Sequence, residues 1–86
     1  MTTLNEILRI SSFDALTQLT QRIAYDGSGA PQYVGLAVPG TSVNAAAWHI
    51  RKMVMDGSGN IIEVIYADGN ANFDNIWADR ALLTYS

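Results

Sequence analysis

Few residue types in this chain could support catalysis. There is one histidine, His49, and no cysteine. A serine–histidine–aspartate site needs a nucleophile bonded to the histidine and a carboxylate that orients the ring. The spacing of Ser42, His49 and Asp56 offers no such arrangement. We therefore interpret His49 as a surface or interface residue and predict that the chain is not an enzyme.

A possible metal loop begins at Asp56. Asp56, Ser58 and Asn60 occupy alternate positions, as the first ligands of an EF-hand loop do. The pattern then fails, because Ile61 stands where that loop requires glycine and Ala67 where it requires a bidentate glutamate. Asp, Gly, Ser and Asn are also the residues of tight turns. We predict a hairpin turn here and no bound metal or other cofactor.

Three aspartates near the C-terminus, Asp68, Asp74 and Asp79, are a further candidate for acid–base chemistry. Each has a simpler role, in a turn, in the first turn of a helix or in a salt bridge with Arg80. No part of a catalytic site is assembled around them. We predict no catalytic residues.

Aromatic side chains could form a platform for a sugar. Most of them lie at the strand parity that we assign to the interior, where core packing is the default. Tyr33 has outward parity in a regularly alternating strand, so we expect it to contact a partner or ligand. The residues considered are Tyr25, Tyr33, Trp48, Tyr66, Phe73, Trp77 and Tyr85.

The elements that would position these residues are two β-hairpins. Residues 47–55 and 61–67 are apolar, β-branched and aromatic runs joined by Asp-Gly-Ser-Gly-Asn, and the same Asp-Gly-Ser-Gly string occurs at 26–29 between two shorter runs. Gly35, inside a predicted strand, indicates a bulge or a close approach by another backbone. A bulge near residues 51–52 would bring both methionines of that strand inward.

The C-terminal part is predicted to hold a short helix or helical turn around residues 72–80, with Asn72 as its cap, and a last strand over 81–85. The expected fold is all-β: a small antiparallel sandwich or barrel of two β-hairpins plus a C-terminal strand, with short helical turns near the N-terminus and around 72–80. Residues 20–86 form this β domain. Residues 1–19 form either a short helical segment packed on the sheet or an extended arm that orders on a neighbouring subunit.

Composition indicates self-association. The chain has 86 residues, no cysteine, 49% hydrophobic residues and 15% charged residues, whereas about 25% charged is usual. Small domains commonly need a disulfide, a metal or a partner chain, so we expect a homo-oligomer, with a trimer as one arrangement. Ile61 and Ile65 face away from Ile62 and Val64, which indicates burial on both sides of that strand. The predicted contact residues are Leu4, Ile7, Leu8, Tyr33, His49, Ile61 and Ile65.

Charge and hydropathy exclude two other partners. The net charge is −3 and the five basic residues are spread along the chain, so no basic face for nucleic acid is expected. No stretch approaches the roughly 20 apolar residues of a membrane span, and no secretory signal is evident. We predict neither nucleic-acid nor membrane binding.

The later motifs resemble a family of very short proteins encoded by tailed bacteriophages. The resemblance covers about residues 20–86, and its C-terminal part is the more specific. The shared pattern comprises Tyr-x-Gly-x-Ala-x-x-Gly, Trp-x-Ile-Arg-Lys, Trp/Tyr-Ala-Asp-Gly, Phe-Asp-x-x-Trp-x-x-Arg and Leu-x-Tyr. The matching residues are Tyr33, Gly35, Ala37, Gly40, Trp48, Ile50, Arg51, Lys52, Tyr66, Ala67, Asp68, Gly69, Phe73, Asp74, Trp77, Arg80, Leu83 and Tyr85.

This resemblance implies an accessory structural protein of the virion, made in the host bacterial cytoplasm, with no catalytic residues to transfer. The expected function is a capsid decoration or cement protein, or a tail or fibre component, that contacts itself and other virion proteins. Two alternatives stay open: a receptor- or glycan-binding module of a tail fibre, and a small phage factor that binds a host protein.

Overall fold

In the computed structural model, which describes residues 18–86, the chain folds mostly as antiparallel β-sheet. The predicted all-β class is confirmed. The strands are β1 (Thr20–Tyr25), β2 (Pro31–Ala37), β3 (Ala46–Met55), β4 (Ile61–Tyr66) and β5 (Asn75–Ile76), followed by a 3₁₀ helix over Trp77–Leu82.

The ten-residue strand β3 is the centre of the five-stranded sheet. Strands β1 to β4 pair in chain order, and β3 pairs with β2 along one side. Its other side pairs first with β5, through Ala46 and Trp48, and then with β4, from Arg51 onward. Because β3 is this long, the same side of it can pair with both β4 and β5.

Both Asp-Gly-Ser-Gly strings form the predicted hairpin turns. In each turn the aspartate Oδ1 accepts hydrogen bonds from the backbone N–H groups two and four residues later, at 2.8 and 3.0 Å for Asp26 and at 2.9 and 3.0 Å for Asp56. Gly29 and Gly59 both have φ of 85°, a conformation in which a side chain would be strained. The backbone donors at Asn60 and Ser58 hold the pKa of Asp56 below its usual value.

The two faces of the sheet are covered by other parts of the chain to different extents. The face we call the inner face carries Gly35, Ala37, Trp48 and Ile50, which are all buried. Trp77 of the 3₁₀ helix packs over it and completes the core, together with Ala67. The opposite, outer face carries alternate residues of the same strands, including Ile23, Val34, Leu36, His49, Arg51, Met53 and Val64.

The strand parities predicted for two tyrosines are wrong. Tyr33 lies on the inner face, where its ring centroid is 5.6 Å from that of Tyr85. Tyr25, assigned to the interior, is 60% exposed. The hydrophobic pattern was misleading because β2 carries its large aliphatic residues on the outer face, while the small Gly35 and Ala37 make room for tryptophan rings on the inner face.

Three further local predictions need correction. The irregularity of β3 against β4 falls between Val54 and Met55, not at residues 51–52. The short helix or helical turn predicted around 72–80 is present as the 3₁₀ helix, but it begins only at Trp77, because Asn75 and Ile76 pair with β3 as β5. The predicted last strand makes one isolated bridge, between Ala67 and Tyr85. The predicted contacts of Leu4, Ile7 and Leu8, and most of the 1–19 segment, lie outside the described residues.

Candidate interaction surface

Tyr33 belongs to a small cluster on the inner face. The Lys52 Nζ atom lies 6.0 Å from the ring centroid of Tyr33 and 5.9 Å from that of Tyr85. Such a cation–aromatic contact keeps the charge near solvent while the lysine stem covers apolar surface. The structure therefore engages Tyr33 within its own chain. Its contact with a partner stays a prediction.

His49 is not a surface residue of the described chain, since its side chain is only 8% exposed. Its Nδ1 atom is 3.0 Å from the carbonyl oxygen of Ala71. Its ring centroid is 5.5 Å from that of Tyr66 and 5.3 Å from that of Phe73. The loop after β4 therefore covers this end of the outer face, and His49 fixes the loop by packing and a hydrogen bond.

The exposed apolar residues of the sheet concentrate at β4. We define the β4 patch as Ile61, Ile62 and Val64, which are 50%, 64% and 40% exposed. Ile65 is partly buried on the same strand. Of the predicted contact residues, the structure thus places Ile61 in an apolar surface, while the contacts of Ile61 and Ile65 themselves stay predictions.

Sequence reasoning missed Ile62 and Val64 as surface residues because it assigned their parity to the interior. It also missed Ile23, which is 41% exposed on β1. The exposure of Ile23, Ile62 and Val64 follows from strand order, since residues of an edge strand have a neighbour on one side only. The apolar pattern of the sequence does not give the strand order.

The C-terminal segment is held by specific hydrogen bonds. The Tyr85 hydroxyl donates to the carbonyl oxygen of Arg80 at 2.8 Å, and the Arg80 guanidinium lies 4.8 Å from the Trp77 ring centroid. Burial, and to a smaller degree the nearby Tyr33, raise the pKa of Tyr85 above its ordinary value. Arg80 thus stacks on an aromatic ring.

We expect the raised pKa of Tyr85 to make stability fall at alkaline pH. Because the folded state favours the neutral phenol, this contribution is complete below the unfolded pKa of 10.0 and decreases as pH rises above it. Urea unfolding from about pH 8 to about pH 11 measures the effect. The Tyr85→Phe variant is the control, and it should lose this component of the pH dependence. Identical slopes in both proteins would contradict the assignment.

Among residues 18–86, no group of three or more His, Cys, Asp and Glu side chains is placed to hold a metal ion. Arg51 Nε is buried without a hydrogen-bond partner, on the outer face near Tyr66. Within the same residues, no helix has both the length and the apolar character needed to cross a membrane.

Comparison of the chain with protein-family models, with curated proteins and with solved structures found no match. The resemblance to short phage proteins therefore stays a prediction.

Proposed function

We propose that the chain is a structural protein of a tailed-bacteriophage virion, an accessory component of the capsid or tail that acts through contacts with itself and with other virion proteins. The motif resemblance supplies the phage context. The observation that carries the proposal is the apolar β4 patch, where three aliphatic side chains are between 40% and 64% exposed on one six-residue strand.

An exposed apolar strand at a sheet edge favours a protein partner. Apolar side chains gain about 25 cal/mol for each Å² removed from water, and an edge strand also offers unpaired backbone groups. Proteins that stay monomeric usually interrupt such strands with several charges or proline. β4 carries a single charged residue, Glu63. Its composition suits a strand that is covered in an assembly.

Mass spectrometry of gradient-purified particles tests the proposal, using the phage or prophage whose genome encodes the chain. Copy number is measured against the major capsid protein, with particles from a gene deletion as the control. We expect the chain in the particles: hundreds of copies would assign it to the capsid shell, and a handful to the tail, neck or fibre. Its absence from intact particles would overturn the proposal and favour a host protein as the partner.

A further inference from the structure

Both outer strands of the sheet have one unpaired side. Within residues 18–86, β1 pairs with β2 alone, and β4 pairs with β3 alone except at its last residue, Tyr66, which also bonds Ser86. Because β1 to β4 alternate in direction, β1 and β4 run in opposite directions. Two copies placed side by side in the same orientation therefore bring β4 of one copy against β1 of the next as an antiparallel pair.

The hydrogen bonds at the end of β4 establish which of its backbone groups are unpaired. Ala67 N–H donates to Ile50 of β3, whereas Tyr66 exchanges hydrogen bonds with Ser86 on the opposite side, at 3.0 and 3.1 Å. Successive residues of an antiparallel strand alternate in this direction. The backbone groups of Val64 therefore point away from β3. At Ile62 this alternation is interrupted, because the irregularity between Val54 and Met55 leaves Ile62 without a partner residue in β3. Ser86 limits the unpaired edge to Ile61–Ile65.

The same alternation, followed through the register, identifies the unpaired groups of β1. Arg51 lies opposite Tyr66, so its backbone groups point to β2, where its partner is Val34. The backbone groups of Gly35 then point to β1, where its partner is Arg22. The backbone groups of Arg22 therefore point inward to β2, and those of Gln21 and Ile23 point outward, away from the sheet.

One register satisfies the backbone, the faces and the charges together. Placing Arg22 opposite Glu63 of the next copy makes Gln21 and Val64 a hydrogen-bonded pair, since both have outward backbone groups. Ile23 then lies opposite Ile62 of the neighbouring copy. Ile23 and Ile62 are 41% and 64% exposed. Their contact would bury apolar surface from both copies.

The charges distinguish this register from its alternatives. Arg22 is the one charged residue of β1 and Glu63 the one charged residue of β4, and both are exposed. In this register they form a non-hydrogen-bonded pair, in which side chains approach most closely. Pairing of β4 with a second β4 in the register Ile62 to Val64 would instead place Glu63 opposite Glu63. The corresponding pairing of β1 places Arg22 opposite Arg22.

We propose that copies of this chain associate head to tail, with residues 20–24 of β1 paired in antiparallel fashion with residues 61–65 of β4 in the neighbouring copy and Arg22 opposite Glu63. This inference deepens the proposed function and rests on its self-association. Because the two surfaces differ, the contact repeats from copy to copy and builds a closed ring or an open filament.

Cysteine cross-linking tests the pairing directly, since the chain has no cysteine. Within one copy, Arg22 is in register with Ile50 of β3 and Glu63 with Val54. The two residues are therefore three strand spacings and four residues apart, about 20 Å, too far for a disulfide. Across the proposed contact their Cα atoms are about 4.5 Å apart, within disulfide range. The double variant R22C/E63C should give a ladder extending beyond dimers under mild oxidation. The shifted control A24C/E63C should cross-link much less.

Each other outcome overturns the edge pairing. Efficient dimers from E63C alone would indicate β4 paired with β4, and dimers from R22C alone would indicate β1 paired with β1. Assembly without the ladder would leave self-association in place and overturn this inference alone. A chain that is monomeric at all concentrations would overturn the inference, whereas only absence from virions would overturn the virion assignment.

Charge reversal supplies a second measurement that does not depend on oxidation. In light scattering at low salt, R22E and E63R should each weaken association about tenfold, because like charges then face each other. The double reversal R22E/E63R should restore it. Leu82→Arg, at a position 82% exposed on the 3₁₀ helix, controls for a charge added outside the proposed contact. Equal association of single and double reversals would overturn the register. Circular dichroism establishes that each variant is folded.

Discussion

Replacing Trp48 by alanine is expected to unfold the domain at room temperature. Trp48 is fully buried, its ring centroid is 5.9 Å from that of Trp77, and its Nε1–H donates to the carbonyl oxygen of Ser42 at 2.9 Å. Removing a buried tryptophan costs about 3–5 kcal/mol. A core of this size supplies only about 3–5 kcal/mol in total. The loss therefore equals the whole free energy of unfolding.

Circular dichroism and urea unfolding measure this effect. Trp48→Phe is the matched control: it keeps most of the apolar volume but removes the donor to Ser42, at a cost of about 1–3 kcal/mol. Leu82→Ala, at a position 82% exposed, should change the free energy of unfolding by no more than about 0.5 kcal/mol. A Trp48→Ala protein with an unchanged urea midpoint would show that Trp48 does not hold the core together.

The hairpins could be predicted because their signals are local. In each, an aspartate, two glycines and a serine at fixed spacing define the turn, and the aspartate Oδ1 binds the two backbone donors that such a turn presents. The alternation on either side is the two-residue period of a strand. Strands β1 to β4 could therefore be predicted from segments of about ten residues each, without knowledge of any distant contact.

The identity of the covered face depends on residues distant in sequence. The alternation showed that Val34 and Leu36 share one face of β2 and that Gly35 and Ala37 share the other, but hydrophobicity favoured the wrong one. Large rings from β3 and the 3₁₀ helix fill the space that Gly35 leaves. A small residue under a large one looks like a surface residue when its partner is unknown.

The same reason explains the candidate surface. His49 was expected at the surface or in an interface because the spacing of Ser42, His49 and Asp56 offers no catalytic arrangement, yet its hydrogen-bond partner is Ala71, 22 positions away. Ile61 was identified by the two-sided apolar pattern of β4. The edge position of that strand, and the match between its charge and that of Arg22, required the strand order.

The close packing of Gly35 against two tryptophans makes it the second site at which one substitution should have a large effect. A Cβ atom at Gly35 would lie 2.5 and 2.7 Å from the Trp77 Cε3 and Cζ3 atoms and 3.1 Å from Trp48 Cε3. Both rings belong to the buried core, so the 3₁₀ helix must move away from the sheet. We expect Gly35→Ala to lower the free energy of unfolding by about 1–3 kcal/mol, measured by urea unfolding.

A double-mutant cycle with Trp77→Leu distinguishes this steric cause from a general effect of losing glycine. Because leucine removes the ring atoms that the new Cβ would strike, Gly35→Ala should cost much less in the Trp77→Leu background, which gives a coupling free energy of about 1 kcal/mol or more. Gly57→Ala is the matched control, since nothing lies within 4 Å of a Cβ atom there, and it should change stability by no more than about 0.5 kcal/mol. If Gly35→Ala costs the same in both backgrounds, its effect arises in the backbone of β2 and not at the contact with Trp77.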